Sequence, residues 1–252
     1  MKIFALSDPH LSFSTPEKKM DRFGEEWTDH PQKIRTTWEM LVSPDDAVLV
    51  PGDISWAKKF EAALADLHWI DTLPGKKIIL KGNHDFWWPK KKNLLSRIPS
   101  SIHIIQNNHF KIGKFVFFGS RLWDTKEYTC DSIINWDPKK GNIMPKKSGE
   151  ELEKQEKIYE RELGRLRLSL QTFPLKTGEI RIGMCHFPPL DHALRPSRAS
   201  RIFSEAGTSH VVFGHLHSLI QNMCGFGMLE GTCYHLASSD FLDFKPKLIC
   251  ED

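Results

Sequence analysis

Residues 76–85 read Lys-Lys-Ile-Ile-Leu-Lys-Gly-Asn-His-Asp, an apolar run followed by a turn that carries an amide, an imidazole and a carboxylate. The run Lys77–Leu80 has the length and continuity of a strand buried on both faces, as in a parallel sheet. Gly82 punctuates it, so the polar trio arrives at the carboxyl end of the strand, where α/β sheets bind their ligands. The same arrangement recurs along the chain. Ile3–Leu6 leads into Asp8-Pro9-His10, and Ala47–Val50 into Pro51-Gly52-Asp53. Ile180–Cys185 runs into His186, and Val211–Phe213 into Gly214-His215-Leu216-His217. Pro9 has no N–H and a fixed φ, so the first strand stops there, and Asp8 and His10 can turn to one point. Each motif alone has an ordinary reading as a turn, a helix cap at Asp85 or a strand edge. Five metal-competent groups at five strand ends make coincidence the weaker explanation and one shared pocket the stronger.

Further β-branched or aromatic runs at Ser101–Gln106 and Phe115–Gly119 read as strands, and Lys33–Leu41, Lys58–Leu73 and Glu150–Leu170 as amphipathic helices. After Thr208 the chain breaks into short, Gly-punctuated strands. The segments Ser12–His30 and Trp123–Gly149 show no clean periodicity, and loops of that length are more often functional lids than accidents. No linker separates two halves. The expectation is a single α/β domain over residues 1–252, with lid-like segments at 12–30 and 123–149.

The 252 residues are 40% hydrophobic and 27% charged, with a formal charge of +3, which excludes a disordered polyelectrolyte and supplies no basic stripe for nucleic acid. The stretch Thr208–Leu229 lacks charge but is rich in Gly, His and Ser, so it does not read as a membrane span. Five scattered cysteines without a CxxC argue against a disulfide framework. With Asp8 interrupting the first apolar run before any secretory core forms, the expected location is cytoplasmic.

The ordered set DPH, GDISW, GNHD, MCHFPP and GHLH resembles the calcineurin-like metallophosphoesterase superfamily, most closely a branch of bacterial phosphohydrolases of about this length. The resemblance extends from Asp8 to His217. It implies a four-layer α/β/β/α sandwich of two mixed sheets flanked by helices, with a dimetal site at the sheet edge. By motif, Asp8, His10, Asp53 and His217 would hold one ion, and Asp53, Asn83, His186 and His215 the other, with Asp53 bridging. His84 would be the catalytic histidine, with Asp85 orienting it. The implied reaction is cleavage of a phosphate mono- or diester by a metal-bridging hydroxide. Two departures stand out: Pro9 within Asp-x-His, and Trp56 where many members carry an acidic residue followed by Arg.

The donor set agrees. Carboxylate, amide oxygen and imidazole without thiolate suit Mn²⁺ first, with Fe²⁺ or Zn²⁺ as alternatives, and suit Ca²⁺ poorly. Arg121 is a candidate phosphate clamp, equally readable as a surface ion pair. Trp56, Trp87 and Trp123 are candidate substrate contacts. Adjacent Trp87 and Trp88 cannot both point inward from one strand, which expects at least one in the cleft or under a lid. Lys90-Lys91-Lys92 reads as a solvated helix start. The expected partner is a small phosphorylated substrate of unassigned class, and the oligomeric state is open. The competing readings are a nucleotide-lipid pyrophosphatase, a nuclease, or a metal-free scaffold on the same fold.

Overall fold

Strand parity sorts the side chains into three apolar layers. In the computed structural model, which describes residues 1–138, 142–145, 148–173, 176–220 and 226–252, the first half of the chain runs β1 (Lys2–Ala5), α1 (His30–Leu41), β2 (Ala47–Val50), α2 (Phe60–Asp71), β3 (Lys76–Leu80), α3 (Lys92–Leu95) and β4 (Ile102–Ile105). Next come β5 (His109–Ile112), β6 (Phe115–Gly119), α4 (Gly149–Gln171), β7 (Ile180–Met184) and α5 (Arg198–Glu205). The chain closes with β8 (His210–Phe213), β9 (Met228–Leu229), β10 (Thr232–Leu236) and β11 (Lys247–Glu251).

One sheet has the order β11-β1-β2-β3-β4 and the other β5-β6-β7-β8-β10-β9. Neighbours among β1–β4 are parallel and so are neighbours among β6, β7, β8 and β10. Antiparallel β11, β5 and β9 close three of the edges. Alternate residues Ile3, Ala5, Leu49, Ile78 and Leu80 of the first sheet meet Phe115, Phe117, Ile182, Met184 and Val212 of the second. The opposite parity of the first sheet, Phe4, Val48, Val50 and Ile79, packs under Ile34 and Trp38 of α1 and Phe60, Leu67 and Ile70 of α2. In the second sheet, Phe118, Val211, Phe213 and Tyr234 pack under Leu163 and Leu166 of α4 and Phe203 of α5. Each such side chain contributes about 1.5–3 kcal/mol on full burial. The result is the α/β/β/α sandwich.

The helices start where local chemistry allows. Pro31 sits in the first turn of α1, where its missing N–H costs nothing. Ser148 opens α4 with a capping box, accepting from Glu151 N at 3.2 Å while Glu151 Oε2 accepts from Ser148 N at 2.8 Å. Among the described residues no helix is long and apolar enough to cross a membrane.

Candidate metal centre

The two sheets meet at their carboxyl edges. Ser7 N donates to Ala237 O at 2.6 Å, and Ser7 bridges Ser238 in parallel, so the end of β1 is tied to the end of β10 across the sandwich. The chain after β1 then runs beside the chain after β2: Asp8 N donates to Gly52 O, His10 N to Asp53 O and Leu11 N to Ile54 O, all at 2.9–3.1 Å. Asp8, His10, Asp53 and His215 all adopt left-handed backbone, with φ between 44° and 70°. Asp and His tolerate that region better than most residues, and each such turn re-aims a side chain into the gap between sheets. Gly82 and Gly214 allow the close approach. A Cβ at Gly82 would collide with the Asp53 carboxylate, and one at Gly214 with Asp8 Oδ2 and Ser7 Oγ.

The seven expected ligands converge. Asn83 Oδ1 lies 2.7 Å from His186 Nε2 and 3.0 Å from His215 Nδ1. Asp53 Oδ2 lies 3.4 Å from His186 Nε2 and 3.9 Å from both His10 Nε2 and His84 Nε2. On the other side, His10 Nε2 faces His217 Nε2 at 3.4 Å, and His217 Nε2 is 3.6 Å from Asp8 Oδ1. Asp53 therefore stands between the two donor groups. Asp8, His10 and His217 bring ligand atoms within 4.8 Å of one another, and so do Asp8, Asp53 and His186.

Charge follows from this crowding. Burial pushes Asp8 up, but the hydrogen bond from His217 and the charges of His186 and His217 outweigh it and hold the carboxyl at about 2. Burial also pushes Asp53 up, yet His186, His10 and His84 keep it well below the ordinary carboxylate value. Burial takes His10 and His215 down, each to about 3. Burial opposes protonation of His186 and His217 too, but Asp53 overcomes it for the first and Asp240 for the second, so both are raised. Ionised carboxylates between imidazole nitrogens that face one another fit a pair of divalent cations, which would replace these internal pairings by ligation. The absence of thiolate from the donor set fits Mn²⁺, Fe²⁺ or Zn²⁺.

The family model of the calcineurin-like phosphoesterases matches residues 1–219. The chain belongs to that family. The Asp/His clusters at the sheet edge are able to hold metal. Curated relatives of this family member include the Gene 66 proteins of Mycobacterium phages L5 and D29, 35% identical over 57 residues and 31% over 83. Those matches span 23% and 33% of this chain, and 27% and 40% of the phage proteins. Among solved structures, phosphopantetheinyl hydrolase of Mycobacterium tuberculosis aligns over 100% of this chain and 96% of its own, at TM-score 0.55 and 14% identity. The protein TT1561 of Thermus thermophilus aligns over 98% and 96%, at TM-score 0.50 and 13% identity. At such identity these neighbours show the shared fold.

A cavity of about 200 Å³ opens onto the centre, lined by His10, Asp53, His84, His215 and His217 on its polar side. Met20, Phe23 and Trp27 from the 12–30 segment and Trp56 form its apolar wall, and Asn142 from the 123–149 segment also reaches it. Residues 139–141 and 146–147 of that second segment lie outside the described residues. Trp56 stacks on His10 at 4.9 Å and tilts against His84 at 4.6 Å. His84 N donates to Asp53 Oδ1 at 2.8 Å, while its ring stays partly open to the cavity.

Three expectations need correction. Asp85 does not orient the His84 ring. Its carboxylate accepts from Ile54 N, Ser55 N, Gly82 N and Trp87 Nε1 at 2.8–3.2 Å, so it ties the Asp53 loop to the Asn83 loop. Trp87 is not a cleft residue. Residues 82–88 form turns rather than a strand, so adjacent Trp87 and Trp88 both reach the first core, with indole Nε1 on Asp85 and on Gln106 respectively. Arg121 lines a different cavity, with Lys81, Arg161 and Arg165 gathered around buried Glu162. Its guanidinium lies 4.4 Å from the Trp123 ring centroid. Its carbonyl accepts from His186 N and Phe187 N, and so positions the His186 loop through backbone. Trp123 packs on Phe187 and lines a third cavity that touches the metal cavity at His215.

Two residues escaped the sequence reading. Asp240 Oδ1 holds His217 Nδ1 at 2.8 Å and its Oδ2 accepts from Ser218 N at 2.9 Å. Buried His30 hydrogen-bonds Pro9 O at 3.0 Å and Trp27 O at 3.1 Å, fastening the 12–30 segment over the Asp8 loop. Asp240 follows β10 as Asp53 follows β2, a signal present in the sequence but hidden by the Gly-broken stretch before it.

Proposed function

We propose that this chain hydrolyses small phosphate esters, mono- or diesters, at a two-ion centre, with Asp53 bridging and Mn²⁺ as the preferred metal. The observation that carries the reading is the position of Asp53 between the Asp8/His10/His217 and Asn83/His186/His215 donor groups. Two bound divalent ions supply a water acidic enough to attack at neutral pH and a clamp on the charges of the phosphoryl group. The protein's own residues do the rest. Asp8, His10 and His217 would hold one ion, Asn83, His186 and His215 the other, and Asp240 fixes the ring of His217.

His84 stands beside Asp53 with its ring partly open to the cavity, in reach of the leaving oxygen, to which it gives a hydrogen bond or a proton. Met20, Phe23, Trp27 and Trp56 take the apolar part of the ester and keep bulk water from the opposite wall. That wall favours a leaving group or second ester arm with an aromatic or acyl character over a bare sugar phosphate. A structural neighbour that is a phosphopantetheinyl hydrolase supports phosphate-ester chemistry on this fold.

The test is hydrolysis of nitrophenyl phosphate and bis-nitrophenyl phosphate by the full chain after metal removal and Mn²⁺ addition. The expected result is turnover that depends on Mn²⁺ and is lost by about 10²–10³-fold or more in Asp53→Asn, the scale of removing one catalytic electrostatic group being the lower bound. Equal rates for the two proteins would refute the assignment.

A further inference from the structure

Strands β8 and β10 carry a different set of donors. In the parallel register of these strands, Cys233 pairs with His210 and His235 with Val212. Residues in register, and residues two apart, share a face of a sheet. His210, Cys233 and His235 therefore project to one side, toward the core between the sheets to which Val212 belongs. His210 opens β8 and His235 lies one residue before the end of β10, and none of the three lines the cavity over the Asp53 centre.

One ligand atom from each of the three lies within 4.8 Å of the other two. His210 Nδ1 and His235 Nε2 are 3.1 Å apart. In a tetrahedral zinc site with Zn–N of about 2.0–2.1 Å, two nitrogens stand roughly 3.3–3.4 Å from each other, so the rings need to shift by only tenths of an ångström. A hydrogen bond between two imidazoles accounts for that pair but not for a thiol at the third corner. His235 is buried, and His210 and Cys233 are half-buried, which gives an ion a fixed floor and an entrance from solvent. Lys247 of β11 acts on His235 as a neighbouring cation, and a thiolate in the donor set offsets it.

We propose that His210, Cys233 and His235 form a zinc site, separate from the catalytic centre, with water in the fourth position. Two imidazoles and a thiolate are the softer, borderline set that Zn²⁺ prefers, in contrast to the oxygen-and-nitrogen donors around Asp53. On binding, the Cys233 thiol proton passes to solvent, the hydrogen bond between the rings breaks, and each facing nitrogen turns a lone pair to the ion. The ion then adds a side-chain link between β8 and β10.

Titration of the metal-free full chain with Co²⁺ separates this site from the catalytic one, because only a thiolate ligand gives a sulfur-to-cobalt charge-transfer band in the near ultraviolet. The expected result is a band whose full intensity corresponds to one thiolate-bound cobalt per chain once all sites are filled, is bleached by Zn²⁺, and is retained in Asp53→Asn. Cys233→Ser removes it, and so does His210→Ala, a half-exposed position where truncation leaves the core in place. Circular dichroism of both variants identifies any loss that comes from unfolding. No band in the wild type, or an undiminished band in folded Cys233→Ser, overturns the proposal. Failure of ester hydrolysis leaves it standing, since the band requires no turnover.

Discussion

His217 reaches its position with one ring nitrogen on Asp240 and the other facing His10 and Asp8. A carboxylate behind a ligating imidazole fixes its tautomer and raises its basicity, and losing one typically costs about 10–100-fold in metal affinity. Asp240→Asn is therefore expected to weaken the ion on the Asp8 side by about that factor, read by chelator competition, while the fold stays intact. An unchanged affinity would remove Asp240 from the account. His84 and Asp85 separate by a similar logic. His84→Ala should keep its metal and lose more rate on an alkyl phosphate than on a nitrophenyl phosphate, because a basic leaving group depends on the proton donor. Asp85→Asn should slow both esters equally and lower stability by about 1–3 kcal/mol, since it breaks buried bonds to backbone N–H groups of two loops. A leaving-group effect in Asp85→Asn would restore it to the role of orienting His84. The residues that converge at the sheet edge are legible because each follows a continuous apolar strand. The role of Asp85 is not, because its bonds to Ile54 N and Ser55 N cross to the loop after β2 and leave no mark on local spacing.

At the level of elements, β3 carries an unusual passenger. Lys77 is buried within it, and its ammonium donates to the carbonyls of Leu73 and Asp71 and to Ser101 Oγ. Burial lowers its pKa from 10.5 to about 8, against the pull of Asp71. The folded protein thus releases the proton at lower pH than the unfolded chain does. Between about pH 8 and 10.5 the unfolded state binds more protons, so stability rises with pH across that window. Denaturation midpoints of wild type relative to Lys77→Met should accordingly increase from about pH 7 to about pH 10. A flat or falling difference would show that Lys77 titrates normally. The sequence exposes β1, β2, β3, β6, β7 and β8 through their apolar continuity, and α1, α2 and α4 through their periodicity. It hides β5, which is a short half-exposed antiparallel edge, and α5, which at eight residues is shorter than the run of about 10–12 by which a helix is read. β10 was blurred for another reason: Thr232, Cys233 and His235 make it polar, and the last two lie on the face that the inferred zinc site occupies.

For the whole molecule, function follows from bringing two parallel sheets together at the same end. Ser7 on Ala237 joins the sheets, the left-handed turns at Asp8, His10, Asp53 and His215 redirect the ligands, and Gly82 and Gly214 leave room for the carboxylates. The family resemblance that the ordered motifs carry implies the four layers. The junction itself leaves no mark on the sequence, because its hydrogen bonds join Ser7 to Ala237 and Ser239, residues 230 and 232 positions apart. The two-ion geometry is the claim on which everything else rests, and anomalous scattering from a crystal of the full chain grown with Mn²⁺ tests it most directly. The account predicts two anomalous peaks roughly 3.5–4 Å apart with the Asp53 carboxylate between them. A single peak, or a pair not bridged by Asp53, would contradict it.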